Sequence, residues 1–173
     1  MENSCLALMI RAVQRPPQLR CNVGRGRWIR PTPSWTKVNT DGARNQTTRF
    51  TTCGRVLRSH EGEWKMGFTK FIGIFSVLEV EFWGVYMGLL RAWELQKTQI
   101  ILEIDSLEAL KAIEAAGEDG NMITLMNYIV AMLRRDWTAH LQYGSLNGNK
   151  VTNLMAEIEN DNTHDCVKFP APR

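Results

Sequence analysis

The chain has 173 residues, 44% of them hydrophobic, and a net charge of +3. That length suits one domain with a tail, and that apolar share can fill a core. No apolar run reaches the roughly 18 residues a membrane span needs, and CLALMI at the start is too short for a secretory core, so no membrane partner is expected. The four cysteines, Cys5, Cys21, Cys53 and Cys166, form no CxxC or zinc spacing. They read as reduced thiols of an intracellular protein, with nucleus or cytoplasm the expected compartment and an organelle transit peptide, suggested by arginines in an acid-poor N-terminus, as the alternative.

The charge is unevenly spread. Residues 1–40 hold six arginines and Lys37 against the single acid Glu2, and the remainder is mildly acidic. Residues 1–33, with Pro16, Pro17, Gly24, Gly26, Pro31 and Pro33, read as a basic, poorly ordered arm. A basic arm on an acidic body suits contact with nucleic-acid phosphates, and a solvated linker is an equal alternative.

The domain is expected over residues 34–160, with 161–173 as a C-terminal tail. Trp35 to Arg44 suits a first strand, Phe50 to Arg58 a second and Trp64 to Ile74 a third, joined by polar turns as a meander. Ser76 to Gln96 reads as one long helix, with Leu78, Phe82, Val85, Leu89 and Trp93 near the 3.6 period. Ser76 and Glu79 form a capping box at its start. Gln99 to Ile104 is a short apolar run, as for a strand covered on both faces. Helices follow from Asp105–Ser106 to about Ala116 and from Met122 to Arg135. Trp137 to Tyr143 is a fifth strand and Asn149 to Glu159 a last helix. This order predicts an α/β protein with a mixed sheet and helices on its faces.

Three acids stand out by context. Glu81 lies four residues from both Val77 and Val85, so it projects among apolar neighbours, with Gly84 and Gly88 on the same side. A carboxylate aimed inward must be paired, protonated or bound to metal. Asp41 lies in the first strand, and Asp105 closes the fourth. If those strands are neighbours, all three acids converge, and a divalent cation would relieve their repulsion. Oxygen-only ligands favour magnesium or manganese over zinc. Each acid has a rival role: Asp41–Gly42 as a hairpin turn, Asp105 as a helix cap, Glu81 as a solvated surface group.

Taken together, Asn39-Thr-Asp-Gly-Ala43, Leu78-Glu-Val-Glu-Phe-Trp83 and Leu102-Glu-Ile-Asp-Ser106 resemble the three acid-bearing motifs of type 1 ribonuclease H. The likeness is to the plant group associated with non-LTR retrotransposon reverse transcriptases. Val56-Leu-Arg58 with Gly62 and Trp64 resembles a further motif of that group, and the resemblance spans roughly Trp35 to Glu159. It implies a ribonuclease H-like fold with a five-stranded mixed sheet in the order 3-2-1-4-5, and a monomer. It also implies endonucleolytic cleavage of RNA in RNA–DNA hybrids with two Mg²⁺ or Mn²⁺ ions. Asp41, Glu81 and Asp105 fall on the metal-binding catalytic acids, Asn153 on a fourth metal-binding position, and Asn39, Gly42, Ala43 and Ser106 at the substrate.

The pattern also departs from the family. Asn153 stands where the family has an aspartate, Tyr143 where it has a histidine, and Gly54–Arg55 where the second strand has Gly-Gly or Gly-Val. His140 lies three residues before Tyr143. These departures support an alternative: a ribonuclease H-like module that binds or interacts and no longer cuts.

Overall fold

A computed structural model describes residues 28–116, 124–144, 151–152, 156 and 167–169. Its strands are β1 (Thr36–Arg44), β2 (Phe50–Arg58), β3 (Trp64–Ile74), β4 (Gln99–Ile104), β5 (Thr138–Tyr143) and β6 (Val167–Phe169). Its helices are α1 (Val77–Glu94), α2 (Leu107–Ala116) and α3 (Thr124–Leu133). Val151, Thr152 and Ala156 are also helical, within the expected last helix.

The sheet runs β5-β4-β1-β2-β3-β6. β1 pairs antiparallel with β2 and parallel with β4, and β4 pairs parallel with β5. The expected 3-2-1-4-5 order is therefore present. A sixth strand is added from the segment read as a tail: Val167–Phe169 pairs antiparallel with Gly67–Thr69 of β3. Val-Lys-Phe is a three-residue run, too short to register as a strand in sequence.

The meander forms because its turns have the right chemistry. Asn45 accepts the Thr47 and Thr48 amides at 2.8 and 2.9 Å, and Arg49 takes φ 63° to close the β1–β2 loop. That places the turn after Asn45 and leaves Asp41 inside β1, which removes the hairpin-turn reading of Asp41–Gly42. At β2–β3, Gly62 supplies φ 87°.

Alternation gives the sheet two distinct faces. Val38, Leu57, Phe68, Ile100, Leu102 and Ile104 point toward α1 and are buried against Phe82, Val85, Leu89 and Ala92. The helix can sit close because Gly84 and Gly88 face β1: a Cβ on Gly88 would lie 3.1–3.2 Å from Leu102, Thr40 and Val38. Arg55, the departure noted in β2, is fully buried on this face, donating to Cys53 and lying 4.8 Å over the Phe68 ring. The opposite face carries Lys37, Asn39, Glu103 and Gln142. Cys53 is buried beside Arg55; the other three cysteines lie outside the described residues. No described helix is long and apolar enough to cross a membrane.

Candidate metal centre

α1 begins as its sequence predicts. Ser76 caps it, accepting the Glu79 amide at 3.2 Å while Glu79 accepts the Ser76 amide at 2.8 Å. The box fixes where the first turn starts, and so where Glu81 points. Glu81 is 4% exposed, which excludes the solvated reading. Gly42 of β1 sits directly under it: a Cβ there would meet the Val80 side chain at 2.4 Å and Glu81 Oε1 at 3.1 Å. The bare Gly42 also brings its backbone to the carboxylate as a hydrogen-bond partner. Gly42→Ala should force α1 outward, costing about 1–3 kcal/mol of stability by urea denaturation. A midpoint unchanged from the parent would show that the close approach is not needed.

Asp41 and Asp105 arrive from the adjacent strands. β1 and β4 are in register through Thr40 and Ile104, so the next residue of each is an aspartate. Asp105 is not the cap of α2. The Ser106 hydroxyl accepts the Ala109 amide at 3.1 Å, and the Ser106 carbonyl accepts the Leu110 amide, so Ser106 is the cap and Asp105 stands outside the helix.

Asp41, Glu81 and Asp105 each offer a carboxylate oxygen, and these oxygens lie within 4.8 Å of one another. Unit charges at that spacing repel by about 3 kcal/mol per pair at an effective dielectric of 20. Burial of Glu81, with Asp105 and Asp41 beside it, pushes its carboxyl up to about 8, against the small opposing effect of the Gly42 hydrogen bond. Glu81 Oε2 is buried with no hydrogen-bond partner among the described residues. A buried carboxylate with one orphaned oxygen and two more carboxylates beside it fits a hard divalent cation, which takes oxygen ligands.

The remaining expected site residues are placed as follows. Ala43 is half-buried in β1 opposite Thr52. Ser106 is engaged as the α2 cap. Asn39 is 1% exposed, and its amide bonds to Glu103, Trp28 and Arg58 inside the protein, so it presents no surface to a substrate. Asn153 lies outside the described residues. Tyr143 is 47% exposed and paired with Ile104, at the same sheet end as Asp105. His140 pairs with Ile101, four residues before Asp105, or roughly 13 Å along the strand. It stacks on Trp35 at 4.9 Å, and burial holds its imidazole below the usual range. His140 therefore does not take the place of the family's histidine.

A family model described as reverse transcriptase-like matches residues 39–158. The chain belongs to the reverse transcriptase-like family. Its fold is ribonuclease H-like. A protein of Arabidopsis thaliana carrying the name ribonuclease H protein is 32% identical over 130 residues, 75% of this chain. The chain spans only 21% of that relative's length. Among solved structures, ribonuclease H1 of the halophilic archaeon Halobacterium salinarum superposes with a TM-score of 0.61 at 20% identity, covering 70% of this chain and 94% of its own. LC11 ribonuclease H1, solved with an RNA/DNA hybrid, gives 0.59 at 12% identity, covering 69% and 92%. At these identities the two structures establish that the domain shares their fold.

Proposed function

We propose that this reverse transcriptase-like domain is a divalent-metal-dependent endonuclease that cuts the RNA strand of RNA–DNA hybrids. The observation that carries the reading is the convergence of Asp41, Glu81 and Asp105, with one oxygen of the buried Glu81 carboxylate left without a hydrogen-bond partner among the described residues. Its chemical class follows from the donor set, three carboxylates with no histidine or thiol among them. Two bound Mg²⁺ or Mn²⁺ ions would supply an activated water and neutralise charge at the reacting phosphate. The chain's part is to hold the ligands. β1 and β4 present Asp41 and Asp105 from one rigid parallel pair, and the capped first turn of α1 sets Glu81 against Gly42. Asp41 and Glu81 stand on regular elements, and Asp105 stands one residue past the end of β4. Asn153 would complete the site as a neutral oxygen ligand.

The proposed unit is residues 34–160, acting as a monomer. Recognition would follow hybrid shape and the RNA 2′-hydroxyl, as suits A-like duplexes. The Arabidopsis relative bearing the name ribonuclease H supports this substrate, as does the hybrid complex of a structural neighbour.

The second reading, a binding module that no longer cuts, is favoured by Tyr143 at the site end of β5 and by Asn153 in the sequence. One assay separates the two. A labelled RNA–DNA hybrid is incubated with protein and Mn²⁺ or Mg²⁺, beside Asp41→Asn. Cleavage by the parent, reduced at least about 10³-fold in the variant, is expected for the nuclease. Retained hybrid binding with no cleavage in either metal would establish the binding module instead.

A further inference from the structure

On the face of β1 that carries Asp41, one alternation nearer the strand start, lies a partly buried polar network with Asn39 and Lys37 at its buried centre. Asn39 and Glu103 are register partners on β1 and β4, each two residues before an aspartate. The Asn39 amide nitrogen donates to Glu103 Oε2 at 2.6 Å. The other carboxylate oxygen, Oε1, accepts from Lys37 Nζ at 2.6 Å and from Gln142 Nε2 at 2.7 Å. Glu103 thus ties β1, β4 and β5 together with one side chain.

The orientation of the Asn39 amide is set by its other neighbours. Trp28 Nε1 reaches Asn39 Oδ1 at 3.0 Å and Arg58 Nη1 reaches it at 3.3 Å. Indole and guanidinium N–H groups can only donate, so the amide oxygen must face them and the amide nitrogen must face Glu103. Trp28 is held in turn between cations, with Arg58 5.1 Å and Lys37 5.5 Å from its ring centroid. A segment read as a loose arm in sequence therefore closes this network.

We infer that Asn39 and Glu103 are positioning residues, whose crosslink fixes the spacing of Asp41 and Asp105. Neither touches the reacting atoms. A charge-assisted hydrogen bond directly behind a pair of ligands is the kind of contact that orients them, because a bonded network centred on the buried Asn39 and Lys37 has little freedom. The first strand of the motif needs a donor at Asn39 and the fourth an acceptor at Glu103, two residues before each acid. The inference rests on the metal-site reading for its consequence, but not for its geometry.

The test reverses the polarity of the crosslink. Glu103→Gln turns a donor toward the Asn39 donor. Asn39→Asp sets a second carboxylate against Glu103. The double variant Asn39→Asp/Glu103→Gln lets the new amide donate to the new carboxylate, while Trp28 and Arg58 still donate to the carboxylate. Amide hydrogen exchange at Asp41 and Asp105 is read in chelator, together with Mn²⁺ affinity by calorimetry. Each single variant should speed exchange at both aspartates and weaken Mn²⁺ binding by about tenfold. The double variant should return both to within about threefold of the parent.

Exchange at the aspartates left unchanged by both single changes would overturn the inference. So would a double variant as damaged as the singles. If the single variants do not fold, the double variant decides alone: parental exchange at Asp41 and Asp105 supports the crosslink, and altered exchange or unfolding sinks it. A parent protein that binds no Mn²⁺ would refute the metal-site reading and leave the exchange result standing.

Discussion

Glu81→Gln should make the metal-free protein more stable at pH 8 and leave it unable to cut. The first half follows from the carboxyl's displacement from 4.5 to about 8 in the folded chain. Between those values the folded protein holds a proton that the unfolded chain has released. Stability is then fully present below about pH 4.5 and falls as pH rises toward 8, because ionising Glu81 in place is opposed by burial and by Asp105 and Asp41. One proton contributes about 1.4 kcal/mol per pH unit in the middle of that window and less at its ends, so the parent should lose roughly 3–4 kcal/mol relative to the variant between pH 5 and pH 8. Urea denaturation in chelator at the two pH values measures it. Parallel stability curves for parent and variant would show that Glu81 does not carry a displaced proton.

The second half has the opposite sign. A cation and a proton compete for the same oxygens, so metal binding should release a proton below pH 8 and weaken as pH falls. The glutamine cannot supply the charge that a hard cation needs. In the parent, saturating Mn²⁺ should restore stability at pH 8 by mass action. In the variant it should add little. A site that is destabilising when empty and stabilising when filled is the pattern expected of ligands selected for function over folding.

Much of this arrangement was legible in the sequence. The hydrophobic run of β4, the capping box of α1 and the polar loop at Asn45 each carried a local signal strong enough to fix an element. The acid at Glu81 drew notice because it broke an apolar helix face, and the structure accounts for it by the two aspartates beside it. What sequence could not resolve were choices made by tertiary contacts. Asp105 and Ser106 are both good caps, and only the backbone geometry selects Ser106. The resemblance puts Asn39 at the substrate and nothing in the sequence singles out Glu103, because their pairing lies in a register between residues 64 apart in the chain. The one available signal was positional: each stands two residues before an acid, on the same strand face. Trp28 carried no periodic context at all, and β6 was too short to show one.

The largest remaining effect concerns Asn153. In the family's pattern this position holds a fourth acid, and here a neutral amide stands in its place. An asparagine retains one carbonyl ligand and loses a full negative charge. Magnesium suffers most from that change, since it sheds water reluctantly and demands near-ideal octahedral geometry. Manganese is more permissive and binds mixed oxygen sites well. Cleavage at equal, sub-saturating concentration should therefore be faster with Mn²⁺ than with Mg²⁺. Asn153→Asp should restore the charge and lower the Mg²⁺ concentration for half-maximal rate by about tenfold, equivalent to roughly 1.4 kcal/mol in binding. Manganese-supported cleavage should change much less, because that ion already tolerates the amide. The comparison is a titration of cleavage rate against each metal, on parent and variant, with hybrid binding checked in parallel. Equal Mg²⁺ requirements in the two proteins would remove Asn153 from the metal site. No cleavage by a folded, hybrid-binding Asn153→Asp protein in either metal would refute the nuclease itself, since the variant restores the family's four-ligand set while keeping Asp41, Glu81 and Asp105 as they stand.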